Sequence, residues 1–126
     1  MSMILPTVLV VDDTPSIVDV LRNILLPEYK VKVAISGEIA LKVAEKEPRP
    51  DLILLDIVMP EMDGYEVCRR LKSNKGTAAI PVFFVTGTAD DNDVAKGLSL
   101  GAAGFIMKPI ESDKLLEAVR QAIPKI

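Results

Sequence analysis

Apolar and polar positions along this chain follow two alternating rhythms. Short, nearly unbroken apolar runs recur five times, at residues 7–11, 31–35, 52–55, 81–85 and 104–107. Between and after them, apolar residues return at the spacing of one helix face. The central run is Leu52-Ile53-Leu54-Leu55, which stops at Asp56. An uninterrupted run of this length reads as a strand buried on both faces. Pro60 and Asp63-Gly64 then force a loop and a turn.

The helical stretches carry their own punctuation. Thr14 offers an N-cap and Pro15 a first helical residue; Ile17, Leu21 and Ile24, flanked by Val20 and Leu25, form the stripe, and Pro27 ends it. Ser36-Gly37 opens a second helix through about Glu47, with Ala40, Leu41 and Ala44 inward and Pro48 and Pro50 beyond. Gly64 opens a third, with Val67, Cys68 and Leu71 inward, before the polar loop Ser73-Asn74-Lys75-Gly76. Residues 91–100 form a fourth of weak amphipathicity, closed by Gly101. Ser112 caps a fifth, with Leu115, Leu116, Val119, Ala122 and Ile123 on its apolar side and Pro124 at its end. Five βα units with short connections predict an α/β fold: a five-stranded, doubly wound parallel sheet with right-handed crossovers, (βα)5 and flavodoxin-like.

Composition narrows the function. The 126 residues predict one domain spanning 1–126, and 49% apolar content suffices for its core. A net charge of −3, with acids and bases interspersed, is not the basic footprint of a nucleic-acid binder. No apolar run approaches the roughly 18 residues of a membrane span, and no basic segment precedes an apolar one at the N-terminus. The expectation is a cytoplasmic protein that meets neither nucleic acid nor membrane. The single cysteine, Cys68, permits no internal disulfide and reads as a small buried hydrophobe. The chain has no histidine. It therefore holds no Ser-His-Asp or Cys-His machinery, no histidine metal ligand and no phosphohistidine of its own.

Four of the strands stop at a polar residue: Asp12-Asp13, Asp56, Thr86 and Lys108. Singly these are ordinary turn, capping or surface residues. In a doubly wound sheet, however, all the carboxyl ends face one crevice. Three carboxylates gathered there repel one another, and a divalent cation removes the conflict. All-oxygen ligands select a hard ion, Mg²⁺ or Mn²⁺. The Thr86 hydroxyl and the Lys108 ammonium are donors suited to a phosphoryl group opposite that ion. A nucleotide or flavin site would instead need a glycine-rich first loop. Asp12-Asp13-Thr14-Pro15 has no glycine and two negative charges.

These residues, with Met59-Pro60, Met62-Asp63-Gly64, Gly87, Gly101-Ala102, Gly104-Phe105 and Lys108-Pro109, resemble the receiver domain of two-component response regulators over almost the whole chain. The resemblance implies that Asp56 accepts a phosphoryl group from a phosphohistidine on a sensor histidine kinase or a histidine phosphotransfer protein. It implies Mg²⁺ ligation by Asp12, Asp13, Asp56 and the backbone carbonyl of Val58. Lys108 would pair with Asp56 and then with the phosphoryl group, and Thr86 would swing its hydroxyl onto it. Phe105 would turn inward as Thr86 moves; otherwise it is a plain core aromatic. Lys108-Pro109 would be a cis peptide. The kinase would dock near Pro15, Ser16 and Asp19 and on the loop after Pro109. Residues 91–100, 105–107 and 112–123 would form the readout surface, addressing an output domain or protein and able to support a phosphorylation-dependent homodimer. Val58 and Thr88, at positions that tune hydrolysis, imply a phospho-form lasting minutes or longer.

Two rivals differ in class. A phosphatase of the haloacid-dehalogenase type needs a second acid two residues after its nucleophile, but Asp56 is followed there by Val58, Asp13 by Pro15 and Asp12 by Thr14. A degenerate receiver would bind partners without phosphorylation, yet all the chemical residues are present. On the first reading the chain is a switch with no turnover substrate, not an enzyme in the ordinary sense.

Overall fold

A computed structural model describes residues 5–88 and 90–123. Its elements alternate: β1 (Thr7–Val11), α1 (Pro15–Leu25), β2 (Lys30–Ala34), α2 (Gly37–Glu45), β3 (Leu52–Asp56), α3 (Gly64–Ser73), β4 (Val82–Thr86), α4 (Asp91–Ser99), β5 (Gly104–Met107) and α5 (Ser112–Ala122). All strand pairs are parallel, in the order β2-β1-β3-β4-β5. The expected doubly wound (βα)5 sheet is what forms. The chain winds outward in both directions from β1 and β3, so the switch point of the sheet lies between them.

Alternation along the strands divides the core into two layers. Val8, Val10, Leu52, Leu54 and Val85 meet Val18, Leu21 and Leu25 of α1 and Leu115 and Val119 of α5. Leu9, Val11, Ile53, Leu55 and Phe84 face the other way, toward Ala40 and Ala44 of α2 and Val67, Cys68 and Leu71 of α3. Every residue of β1 and β3 is buried. Their unbroken apolar runs thus reflect cover on both faces. In α4, Gly97 is the sole buried residue. Among the described residues, no helix is long and apolar enough to cross a membrane.

Several local expectations need correction. The buried stripe of α1 is Val18, Leu21 and Leu25; Ile17 and Ile24 lie at its margin, and Val20 is 43% exposed. α1 packs on β1, β2 and α5 at once, which widens and turns its apolar face. β2 starts one residue early, and Ile35 falls outside it, 57% exposed. α2 ends at Glu45, before Glu47. Thr14 stands at the N-cap of α1 without a side-chain cap bond, and Pro15 follows it in the first turn. The N-cap of α5 is Glu111, so Ser112 lies within the first turn and caps nothing. Ser36 does cap α2, accepting a hydrogen bond from the Ile39 N–H at 3.2 Å. Pro124 lies outside the described residues.

The β3–α3 loop is folded tightly under the strand ends. The Gly64 N–H donates to the Ile57 carbonyl at 2.7 Å. A Cβ on Gly64 would lie 2.2 Å from the Asp56 carbonyl oxygen and 2.8 Å from Ile57 Cα, so only glycine permits this closure. Glu61 turns the same loop with a left-handed φ of 69°, spanned by a 2.8 Å bond from the Met62 N–H to the Pro60 carbonyl. The Asp63 carboxylate then caps α3, accepting from the Glu66 N–H at 2.9 Å.

Candidate functional site

The register of the sheet brings the polar strand ends to one edge. Val11 pairs with Leu55, so the residues that follow them, Asp12 and Asp56, are neighbours. The Asp12 N–H continues the ladder to the Ala34 carbonyl at 3.1 Å. Across the sheet, Thr86 pairs with Met107, and the Lys108 N–H donates to the Thr86 carbonyl at 2.8 Å. Lys108 thereby starts its side chain one residue beyond Thr86, aimed along the crevice.

Asp12, Asp13 and Asp56 each offer a carboxylate oxygen, and these oxygens all lie within 4.8 Å of one another. Asp12 is 1% exposed and Asp56 6%, whereas Asp13 faces solvent. Asp12 Oδ1 accepts the Thr14 N–H at 2.9 Å, which fixes the orientation of its carboxylate. Its Oδ2 accepts from Lys108 Nζ at 3.4 Å, and the same ammonium lies 3.6 Å from Asp56 Oδ1. One cation thus stands against a cluster of three anions. Burial raises the Asp56 carboxyl above its ordinary value, and the Asp12 charge adds to the rise; Lys108 opposes it, and Asp13 raises it further. The arrangement carries excess negative charge in a partly dry crevice, with acid oxygens close enough to share one cation. Such a donor set, all oxygen and free of sulfur and imidazole, suits a hard divalent ion.

The remaining site residues are placed as follows. Thr86 is buried, and its hydroxyl donates to the Thr88 carbonyl at 2.8 Å, turned into its own loop. Val58 extends past β3 with its side chain 78% exposed, and Thr88 is exposed on the neighbouring loop. The Lys108–Pro109 peptide is cis, and so is Glu47–Pro48, which sequence reading did not single out. Phe105 is half-buried, its ring 5.5 Å from that of Phe84 and tilted by 38°. It sits among the rings on the α4 side of the sheet, against Phe84 and beside Gly97.

Two supports of the site escaped the sequence reading. One is the Thr14 N–H that holds Asp12; an acid two residues before the amide it binds is the common Asx arrangement, and that spacing was available as a signal. The other is Tyr65, whose ring lies 5.4 Å from Phe84 and whose hydroxyl reaches α4. No local pattern marks that contact, because its partners come from separate elements.

Comparison with known proteins places this geometry in context. A family model for the response regulator receiver domain matches residues 8–120. The chain is 44% identical over 104 residues to a probable cyclic di-GMP phosphodiesterase of Vibrio cholerae, covering 82% of this chain and 23% of that protein. It is 43% identical over 114 residues to the response regulator PleD of Caulobacter vibrioides, covering 90% of this chain and 25% of that one. The crystallised chemotaxis protein CheY4 of Vibrio cholerae superposes with a TM-score of 0.90 at 29% identity, covering 95% of this chain and 100% of that chain. The chain therefore spans about a quarter of the length of the two curated relatives.

Proposed function

Because this chain belongs to the family of response regulator receiver domains, we propose that it is a phosphorylation switch with Asp56 as the acceptor. The observation that carries this reading is the meeting of the Asp12, Asp13 and Asp56 oxygens within 4.8 Å, with Lys108 Nζ 3.6 Å from Asp56. A carboxylate oxygen of Asp56 attacks the phosphorus of a phosphohistidine on a sensor histidine kinase or histidine phosphotransfer protein. The P–O bond forms, the P–N bond breaks, and the electron pair returns to the partner's imidazole. A phosphohistidine donor must lie outside these 126 residues, none of which is histidine.

Asp12, Asp13, Asp56 and the Val58 carbonyl are the groups proposed to hold Mg²⁺. When bound, the ion neutralises charge on the transferring phosphoryl group. Lys108 supplies the positive charge from the chain itself. It is already paired with both buried acids, so it needs little movement to follow charge onto a new phosphoryl oxygen. The Thr86 hydroxyl must leave the Thr88 carbonyl to donate to that oxygen. That exchange of partners links chemistry at Asp56 to the β4–α4 loop. The proposed readout is the surface of α4, β5 and α5, which would address an output domain or protein outside the receiver and allow pairing of two phosphorylated copies. The kinase would approach over Pro15, Ser16, Asp19 and the loop after Pro109. With apolar Val58 and neutral Thr88 beside the site, neither side chain orients a water for attack, and the phospho-form should last minutes rather than seconds.

Incubation with Mg²⁺ and acetyl phosphate tests the reading. Mass spectrometry should show one phosphoryl adduct on the parent chain and none on Asp56→Asn. Repeated release of phosphate would instead indicate a phosphatase. Neither adduct nor release would indicate a scaffold that works without phosphorylation.

A further inference from the structure

α4 is held to the domain by unusually little apolar burial. Gly97 is its sole buried residue, and Leu98 is 52% exposed. What secures it instead is a closed circuit of side chains that begins and ends on the helix. The Tyr65 hydroxyl of α3 donates to Asp93 Oδ1 at 3.4 Å. Lys96, one turn further along α4, places its Nζ 4.2 Å from the centroid of the Tyr65 ring. That ring tilts against Phe84 of β4 at 5.4 Å, and Phe84 against Phe105 of β5 at 5.5 Å. The circuit closes on Gly97: a Cβ there would lie 2.5 Å from Phe105 Cζ and 3.1 Å from Phe84 Cδ2.

Asp93 is also the structural key to the start of α4. The Asp90 side chain accepts the Asp93 N–H at 2.8 Å, and Asp93 Oδ2 accepts the Asp90 N–H at 3.3 Å. The two carboxylates form a reciprocal capping box. Tyr65 therefore grips the very residue that sets where α4 begins. That start lies directly after the segment in which Thr86 donates to Thr88.

We infer that Tyr65 is a positioning residue for the phosphorylation equilibrium: its hydroxyl and ring hold α4 against the Phe84–Phe105 pair in the resting domain, and the α4 side must loosen from Tyr65 when Thr86 turns toward a phosphoryl group. The inference rests on the proposed phosphoacceptor role of Asp56. Contacts that exist in only one of two conformers set their ratio, so removing one from the resting form favours the other. Tyr65→Phe removes the donor and keeps the ring on Phe84. Lys96→Met removes the cation over the ring and keeps the length of the side chain.

The test is titration of the full chain with beryllofluoride and Mg²⁺, followed by amide NMR, together with amide hydrogen exchange. Tyr65→Phe should lower the half-saturating beryllofluoride concentration about two- to five-fold, the low end of what one hydrogen bond contributes, because this one is long at 3.4 Å. Exchange in residues 91–99 should quicken while that of β1 and β3 stays as in the parent. Lys96→Met should lower the half-saturating concentration as well, by about two-fold. A half-saturation that is unchanged or raised in both variants overturns the inference. So does a loss of protection spread through the whole sheet with no shift in the titration, which would mark Tyr65 as structural only. Should Tyr65→Phe fold poorly, Lys96→Met decides alone. If the parent itself takes up no beryllofluoride, the acceptor role of Asp56 fails and Tyr65 has no equilibrium to bias; a parent that titrates beside variants that match it refutes only the role of Tyr65.

Discussion

The two sides of the crevice are built on opposite principles. On one side, β1 and β3 are buried along their whole length, and their last turns carry the acids. Asp12 is pinned by the Thr14 N–H and Lys108, and Asp56 leads into a loop that closes through Gly64. On the other side, α4 connects β4 to β5, buries a single glycine and is held by polar and aromatic contacts. Apolar burial of a large side chain contributes roughly 1.5–3 kcal/mol, whereas an exposed cation–π contact or a long hydrogen bond contributes nearer 0.5–1. Groups that must keep a fixed spacing sit on the expensive side to disturb. On the proposed reading, the helix that answers the change of partner at Thr86 is the weakly buried one.

The sharpest way to break this contrast is Gly64→Ala. A methyl group 2.2 Å from the Asp56 carbonyl oxygen cannot be absorbed by a side-chain rotation, since both neighbours are backbone. Overpacking of this kind costs about 3 kcal/mol, and urea melts should show it as a lower midpoint with an unchanged slope. Because the displaced backbone carries Asp56, phosphoryl uptake should fall with it. A variant as stable as the parent would mean that the acid side is softer than its burial suggests.

Asp56→Asn acts on the same side through charge. The raised pKa of Asp56 means that folding disfavours its ionised form. A group shifted upward adds nothing unfavourable while protonated in both states, below its unfolded value near 3.8. Above that value the unfolded chain ionises first, and stability is lost until the pH has passed the raised folded value. Asparagine has no such loss. In metal-free buffer at neutral pH, the variant should therefore melt above the parent, by a few degrees. The advantage should shrink as the pH falls and vanish below the ordinary carboxylate range. Equal melting temperatures at neutral pH would show that Lys108 fully compensates the cluster.

The same contrast explains what could be read in the chain beforehand. The strands of the rigid side announce themselves as apolar runs ending in acids, because full burial leaves little room for any other residue. The register then had to bring Asp12 and Asp56 together, since each follows a paired residue at the end of adjacent strands. The expected stripe of α1 omits Val18 and includes the exposed Val20, because a helix shared between a sheet and a second helix has a wide, lopsided apolar face. Ser112 was misread as a cap for a related reason: serine favours both the cap and the first turn, and only the backbone shows which it occupies. The Tyr65–Asp93 contact was not legible at all. It joins residues 28 apart in sequence on two separate helices, and no periodicity encodes that.

The smallest effect on overall stability is expected from Gly97→Ala, and it separates the two sides most cleanly. Two terms oppose each other. Alanine in place of glycine favours the helix by up to ~1 kcal/mol. Its methyl group, however, would meet the Phe105 and Phe84 rings at 2.5 and 3.1 Å. A rotation of Phe105 or a small outward shift of α4 relieves that clash, because little apolar surface binds the helix in place. The global melting temperature should therefore change by no more than a degree or two, since the transition is governed by the layers around β1 and β3. Amide exchange in residues 91–99 should nevertheless quicken, and the Phe105 ring signals should shift. If α4 were anchored as firmly as the acid side, the clash could not be relieved locally, and Gly97→Ala would lower the whole transition as Gly64→Ala does.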